Sequence, residues 1–186
     1  MIRLFVAADL RARTQIVLEP DQAHYLTRVM RLGSGDELFI FNGRDGEWRA
    51  EVTEVGKGRC TLCPLDLIRP QAAGLDLDLI IALVKRNRLE TIVEKAAELG
   101  ARRVCLALTE RTNADHANLG RLRAIAVEAA EQTGRLDVPD ILPPRRLVEI
   151  IDDWDPERRL MFCDETGGAP PAACALTQGS SGSWQS

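Results

Sequence analysis

Apolar and polar residues alternate in short runs through about the first 70 positions of the chain. Such alternation is typical of strands that bury one face. The runs that predict strands are Arg3-Leu-Phe-Val, Gln15-Ile-Val-Leu, Glu37-Leu-Phe-Ile-Phe, Glu47-Trp-Arg-Ala-Glu-Val and Cys60-Thr-Leu-Cys. Asn42-Gly and Asp45-Gly separate the third run from the fourth and predict a hairpin. The pattern therefore predicts a compact β-rich unit, which a linker follows at Arg69-Pro-Gln-Ala-Ala-Gly.

One predicted helix, from Asp21 to Arg31, interrupts this β-rich unit. Asp21 is of a residue type that is favoured at the N-cap position. The apolar residues that helical spacing places on one face are Tyr25, Leu26, Val29 and Met30. His24, Arg28 and Arg31 stand at i, i+4 and i+7 and share another face. That basic face is either a solvated surface or a surface that grips RNA phosphates.

Longer apolar runs alternate with helical patterns after Leu75. The predicted strands are 77–84, 103–108 and 159–163, and the predicted helices are 88–99, 118–135 and 147–151. The first two strands are almost continuously apolar, which predicts burial on both faces. Gly100 is the predicted C-cap of the first of these helices. Strands that alternate with helices predict a parallel α/β sheet.

Three polar clusters follow elements of this predicted sheet: Lys85-Arg-Asn-Arg, Thr109-Glu-Arg-Thr and the segment 128–139. Open α/β sheets bind ligands beyond the carboxyl ends of their strands, so we expect the three clusters to meet at one edge. Each cluster also has a simpler explanation. The first is equally well an ordinary basic loop, and Glu131 and Arg135 are spaced for an ion pair within a helix.

Composition and charge narrow the possible functions. Of 186 residues, 45% are hydrophobic and 28% are charged, which is ordinary for a globular protein. A net charge of −4 argues against a general polyanion binder, although a local basic patch can still bind RNA. Only Cys60 and Cys63 are close among five cysteines, and with two histidines they predict no metal site. With no leader sequence and no run near the roughly 20 apolar residues of a membrane span, we expect a cytoplasmic protein.

Several strings in this order and spacing resemble the RsmE family of ribosomal RNA methyltransferases. They are His24-Tyr-Leu-Thr-Arg-Val-Met-Arg-Leu, Gly35-Asp-Glu-Leu, Phe41-Asn-Gly-Arg-Asp-Gly-Glu-Trp, Lys85 followed by Glu94-Lys-Ala-Ala-Glu-Leu-Gly, Glu110-Arg-Thr, and Glu128-Ala-Ala-Glu-Gln-Thr-Gly-Arg-x-x-Val-Pro. The resemblance implies S-adenosylmethionine-dependent methylation of N3 of a uridine in 16S ribosomal RNA of the small subunit. It also implies a homodimer. The implied fold is a PUA-like β-barrel over residues 1–70 and a partial SPOUT-type α/β domain over residues 75–166.

The resemblance stops where the family forms its knot. Two loops of the family, Gly-Pro-Glu-Gly-Gly and Leu-Arg-x-Glu-Thr-Ala, have no counterpart in the chain. Residues 167–186 carry no charged side chain, which predicts a disordered or aberrant tail and a truncated or frameshifted reading frame. On this expectation the chain methylates poorly or not at all. The alternatives are a non-catalytic RNA-binding module and a structural fragment that self-associates through an unpaired sheet edge.

Candidate site residues follow from the same resemblance. Those expected to contact RNA are Arg3, His24, Arg28, Arg31, Lys85 and Arg86. Those expected to shape the uridine site are Glu110, Arg111, Glu131, Gln132 and Arg135. Uridine N3 must lose a proton before it attacks a methyl group, so Glu131 is a candidate base and Arg111 or Arg135 a candidate for stabilising the anion. Asp164 and Glu165 are the expected cofactor contacts.

Overall fold

Two sheets form the framework of the protein, and both lie within residues 1–150, the first of two compact units that the chain forms. Residues 151–186 make up the second unit. The computed structural model describes residues 1–56, 58–110, 112, 117–163, 167–168, 171 and 174. The predictions for Arg111, Asp164 and Glu165 lie outside the described residues, as does most of the predicted tail.

The first sheet has five strands in the order β1-β3-β4-β5-β2. Their bounds are β1 Arg3–Phe5, β2 Ile16–Val17, β3 Glu37–Phe41, β4 Glu47–Gly56 and β5 Arg59–Arg69. β1 pairs with β3 in parallel, and the remaining pairs are antiparallel. The predicted hairpin is confirmed, because Phe41 pairs with Glu47 across the turn. Gly46 is required there, since a Cβ at φ +80° would stand 2.3 Å from the carbonyl oxygen of Arg69.

The predicted helix at 21–31 is shorter and less regular than its spacing suggests. α1 spans Pro20–His24, and a π-helical turn continues it over Tyr25–Val29. Glu19, not Asp21, takes the N-cap position, because Pro20 occupies the first turn. The predicted apolar face is also wrong. A π turn bonds residue i to i+5 and so shifts the face, which leaves only Leu26 buried among the four apolar residues.

The second sheet is parallel, as predicted, with strand order β6-β7-β8. Its strands are β6 Asp78–Ala82, β7 Arg103–Leu108 and β8 Asp140–Arg146, and its helices are α2 Arg86–Leu99, α3 Leu119–Thr133 and α4 Leu147–Asp152. The central strand β7 is buried as expected. The prediction of complete burial is wrong for β6, whose five residues are all partly exposed because it is an edge strand.

The third strand of this sheet is not the predicted one. Residues 159–163 form no strand, and β8 takes that place although it contains Pro143 and Pro144. Proline cannot donate to a strand ladder, so it is tolerated mainly at edges and bulges. β8 meets both conditions, because it is an edge strand and its register with β7 shifts between Cys105 and Ala107.

The core of the α/β part lies where α2 and α3 pack on the sheet. Its buried residues include Leu89 and Val93 from α2, Leu122 and Ala126 from α3, and Leu106 from β7. Gly100 and Gly134 end the two helices at φ +87° and +73°, so the predicted C-cap at Gly100 is confirmed. Within the described residues, no helix is long and apolar enough to cross a membrane.

Candidate functional site

Two of the three predicted polar clusters do meet at the carboxyl edge of the second sheet. Lys85 is the exposed N-cap residue of α2, which starts just after β6. Thr109 and Glu110 follow β7, the neighbouring strand. The backbone N–H of Thr109 donates to the hydroxyl of Thr112 at 2.8 Å. This edge therefore presents an exposed ammonium group and an exposed carboxylate after adjacent strands.

Arg86 also lies at this edge, but its guanidinium is already paired. Its Nε donates to Glu90 at 2.8 Å, and Arg121 of α3 donates to the same carboxylate at 2.6 and 3.0 Å. The hydrogen bonds from Arg121 and then Arg86 lower the pKa of Glu90 to about 2. Glu90 thus links the first turns of both helices, and Arg86 must give up this contact to reach RNA.

The third predicted cluster lies at the opposite edge of the sheet. α3 leaves the carboxyl edge and returns to the amino edge, and a helix rises about 1.5 Å per residue. Glu131 is twelve positions after Leu119, so it stands about 18 Å further along the helix axis. The expectation that the third cluster meets the other two at one edge of the sheet is therefore wrong. The error has a simple cause, since the residues at the end of a crossover helix face the start of the next strand.

Arg3 connects β1 to the end of α3. Its Nε donates to Glu47 at 2.6 Å, and its terminal nitrogens donate to the carbonyl oxygens of Ala130, Glu131 and Arg135 at 2.8, 2.8 and 2.9 Å. Its guanidinium also lies 4.6 Å from the centre of the Phe41 ring. A cation at a helix C-terminus is favourable because it compensates the exposed carbonyl groups. These contacts use four of the five N–H groups of Arg3, which leaves little capacity for RNA phosphates.

Glu47 holds two arginines against this helix end. It is a buried carboxylate, 4% exposed, and its second oxygen accepts from Arg69 Nε at 2.8 Å. Arg69 in turn donates to the carbonyl oxygen of Gly134 at 2.8 Å. We call Arg3, Glu47 and Arg69 the arginine clamp. It joins the first sheet to α3 through charge-assisted hydrogen bonds, which are stronger than neutral ones.

Arg135 is also part of the framework. Its guanidinium pairs with Asp137 at 2.8 Å rather than with Glu131. Gly100 and Gly74 make room for this pair, since a Cβ on Gly100 would stand 2.4 Å from an Arg135 nitrogen and one on Gly74 2.2 Å from an Asp137 oxygen. The pair therefore packs between the segment that joins the sheets and the end of α2. This position suits a structural role better than stabilisation of a uridine anion.

A groove separates the first sheet from the exposed side of α3, and we call it the β1–α3 groove. It has a volume of about 950 Å³ and is lined mainly by Ile2, Phe5, Tyr25 and Met30 on one side and by Val127, Glu128 and Glu131 on the other. Glu131 accepts a hydrogen bond from the Phe5 N–H at 2.8 Å. Burial raises the pKa of Glu131, and this hydrogen bond opposes the rise. The groove is thus largely apolar, with carboxylates along the helix.

Three of the basic residues predicted to contact RNA lie at the end of α1 and just after it. His24, Arg28 and Arg31 are all exposed, and Arg31 adopts φ +59° where the helical stretch ends. They do not share one α-helical face, because a π turn separates them. Within the described part of the chain, neither Arg28 nor Arg31 forms a salt bridge. Both charges therefore remain available to an anionic ligand.

Sequence reasoning missed Glu47 and Arg69. Glu47 begins a strand, and the register of β4 with β5 shifts at three points, so alternation does not reveal which face the carboxylate takes. Arg69 fell in the predicted linker, where a charge signals solvent exposure. A long-range contact with α3 leaves no local trace in either segment.

For metals, the described residues contain no group of three or more ligating side chains.

Comparison with known proteins gives matches over both parts of the chain. The sequence model of an RNA methyltransferase PUA domain matches residues 18–62, and that of an RNA methyltransferase domain matches residues 71–183. The ribosomal RNA small subunit methyltransferase E of Synechocystis is 32% identical over an alignment of 197 positions that includes 98% of this chain and 64% of that protein. The chain thus spans less than two thirds of this relative.

Solved structures agree with these sequence matches. The ribosomal RNA small subunit methyltransferase E of Neisseria gonorrhoeae, bound to S-adenosyl methionine, aligns with a TM-score of 0.75 at 25% identity. The alignment covers 84% of this chain and 66% of that one. A Legionella pneumophila methyltransferase aligns with a TM-score of 0.76 at 24% identity over 82% and 66% of the two chains. The predicted fold class, a PUA-like unit followed by a parallel α/β unit of SPOUT type, is confirmed.

Proposed function

Since the chain belongs to the RNA methyltransferase family with a PUA domain, the RsmE family, we propose that it methylates small-subunit ribosomal RNA. The proposed reaction transfers a methyl group from S-adenosylmethionine to N3 of a uridine in 16S RNA. One observation carries the proposal: a PUA domain and an RNA methyltransferase domain follow each other in one chain. The names of the Synechocystis and Neisseria relatives supply the substrate, and the ligand of the latter supplies the cofactor.

The clefts of the described residues bear on where S-adenosylmethionine binds in our proposal. Two clefts among the described residues are the β1–α3 groove and a cleft of about 340 Å³ between α2 and α3, which is lined by Glu90, Glu94 and Glu128 among others. The β1–α3 groove lies away from the carboxyl edge of the second sheet, where α/β folds bind ligands, and the second cleft runs along α2 and α3 from their first turns. Asp164 and Glu165, the proposed cofactor contacts, are outside the described residues. We therefore assign no cofactor contact within the described part of the chain.

Uridine N3 carries a proton that must leave before N3 can form a bond to carbon. In our proposal a carboxylate takes this proton and a cation stabilises the anion that results. Glu110 and Lys85 lie at the carboxyl edge and are exposed, so they are better placed for these roles than Glu131 and Arg135. Arg111 follows Glu110 directly in the sequence and stays a candidate for the same site.

RNA is proposed to bind along the first sheet unit through Arg28 and Arg31, with His24 beside them. Arginine suits phosphates because its planar fork donates two parallel hydrogen bonds. Replacing both residues, as Arg28→Gln with Arg31→Gln, is expected to weaken binding of a 16S RNA fragment about tenfold or more at low salt. Arg59→Gln is the matched control, since Arg59 is an exposed arginine at the far hairpin of the same sheet. Equal losses in the two proteins would count against a specific surface.

The activity itself is tested by mixing the chain with small ribosomal subunits that lack the modification and with methyl-labelled S-adenosylmethionine. Incorporated label that stops primer extension at one uridine supports the proposal, because N3-methylation blocks base pairing. Salt-sensitive RNA binding without incorporation would instead support a non-catalytic RNA-binding module. No binding to ribosomal RNA would overturn both.

We further propose that the protein works in the cytoplasm as a homodimer, as the family resemblance implies. The partly exposed apolar residues of the β6 edge are consistent with further association of the second sheet. Light scattering during size-exclusion chromatography measures the mass directly. A monomer at concentrations well above those of the RNA-binding assay would refute the dimer and leave the RNA proposal intact.

A further inference from the structure

We propose that the β1–α3 groove is a docking site for a short cationic peptide segment that carries bulky apolar side chains. The partner is a protein segment rather than RNA. This inference goes beyond methylation and does not depend on it, because it rests on the shape, lining and charge of the groove alone.

The groove has a wall that the fold itself does not use. On α3, the residues Leu122, Ala126, Ala129 and Ala130 face the core. Ala124, Val127, Glu128 and Glu131 follow the helical spacing i, i+3, i+4 and i+7 and form a second stripe, which lines the groove. Two faces of one helix therefore carry apolar residues, and only one of them is packed in the core. A volume of about 950 Å³ is at the upper end of the range for ligand pockets.

The opposite wall is apolar and adaptable. Met1, Tyr25 and Met30 line it and are 75%, 40% and 37% exposed. The π turn places Tyr25 and Met30 there instead of in the core of the first sheet. Methionine side chains are flexible and polarisable, so they fit apolar side chains of different shapes, as is typical of peptide-binding surfaces. Exposed apolar residues that gather around a concave surface mark an interaction site more often than scattered ones do.

The charge around the groove selects the partner. Asp21, Glu128 and Glu131 contribute three carboxylates, and Glu128 and Asp21 are exposed. The cations among the described lining residues are the amino group of Met1 and the guanidinium of Arg3, which is held in the arginine clamp, so the three carboxylates outnumber the cations. The groove therefore presents negative charge to any ligand. A phosphate backbone is repelled here, whereas lysine and arginine side chains are attracted to the rim while their apolar neighbours enter the groove.

The proposal is tested with a fluorescein-labelled hexapeptide in which arginine alternates with leucine or phenylalanine. Two matched peptides replace the arginines with glutamates or the apolar residues with serines. Fluorescence anisotropy of the full chain at about 50 mM salt is expected to show saturable binding of the first peptide alone, since both charge and apolar anchors are needed. Equal binding of the glutamate or the serine peptide, or no saturable binding of the first, would overturn the proposal.

Substitutions of carboxylates that line the β1–α3 groove test whether the peptide binds there. Asp21→Asn combined with Glu128→Gln is expected to weaken the peptide about three- to tenfold, because each exposed ion pair contributes little by itself. Glu54→Gln is the control, since Glu54 is an exposed carboxylate on β4 outside the groove. A single-stranded RNA oligonucleotide is expected not to displace the peptide and to bind the double variant as well as the unmodified chain. Displacement by RNA, or equal effects of the double variant and the control, would overturn the proposal.

Discussion

The arginine clamp gives the sharpest prediction about stability. In Glu47→Gln the side chain keeps its size, but one acceptor oxygen becomes an NH₂ group that faces an arginine donor. Glu47 is 4% exposed and accepts from Arg3 and Arg69, whose side chains are 13% and 45% exposed. Breaking a buried ion pair by removing one partner costs about 3–5 kcal/mol. Because Arg69 is half in solvent, we expect a lower loss, about 2–4 kcal/mol in the free energy of unfolding.

Urea unfolding followed by circular dichroism measures this loss, with linear extrapolation to zero denaturant. Glu54→Gln on the exposed part of the same strand is the control, and it should change the free energy of unfolding by less than about 0.5 kcal/mol. A double-mutant cycle with Arg69→Gln is expected to give a coupling energy of about 1 kcal/mol or more. A loss below about 1 kcal/mol in Glu47→Gln, with no coupling, would refute the clamp as a link between the first sheet and α3.

Further predictions concern the second sheet. Gly100→Ala should lower the free energy of unfolding by about 1–3 kcal/mol, which is more than the loss in the control Gly35→Ala. Both glycines have a φ near +90°, but only a Cβ at position 100 would stand against Arg135. Thermal unfolding measures the loss of stability in both variants. Asp78 is buried, which raises its pKa, but hydrogen bonds from Arg103 and Arg102 outweigh burial and hold the pKa at about 2. Its folded pKa is below the unfolded one, so its contribution is complete above about pH 4 and disappears as the pH falls through about 2. In Asp78→Asn, the free energy of unfolding should therefore fall less between about pH 4 and about pH 2 than it does in the unmodified chain. An unchanged pH profile would contradict the low pKa of Asp78.

The periodicity of the sequence predicted most of the elements but not the edges of the sheets. β7 and α3 were predictable because each buries a long apolar run or stripe. β8 was not, since two adjacent prolines argue against a strand unless an edge position and a bulge are already known. The apolar run at 159–163 resembles a strand, yet it lacks a partner strand among the described residues. Local pattern does not specify which strand of a sheet has a free side.

The candidate site was predictable only where topology alone fixes position. Lys85 and Glu110 follow adjacent parallel strands, so the strand order alone places both residues at the same edge of the sheet. Glu131 and Arg135 belong to a helix that crosses the sheet, so their distance from that edge depends on helix length. The π turn after α1 has no clear sequence signal either, and it decides that Tyr25 and Met30 line the β1–α3 groove.

How the chain meets RNA depends on which arginines are still available after folding. Resemblance assigns six basic residues to RNA, but Arg3 is held in the clamp and Arg86 pairs with Glu90. Histidine is mostly neutral at pH 7. Three charges remain: Arg28, Arg31 and Lys85. Each phosphate contact to a single strand contributes about 0.7 to the slope of log affinity against log salt. The three charges predict a slope of about −2, whereas contacts from Arg3 and Arg86 as well would give about −3.5. Filter binding of a single-stranded 16S RNA fragment from about 50 to 300 mM salt measures this slope. A value near about −3.5 would mean that Arg3 leaves the clamp and Arg86 leaves Glu90 when RNA binds.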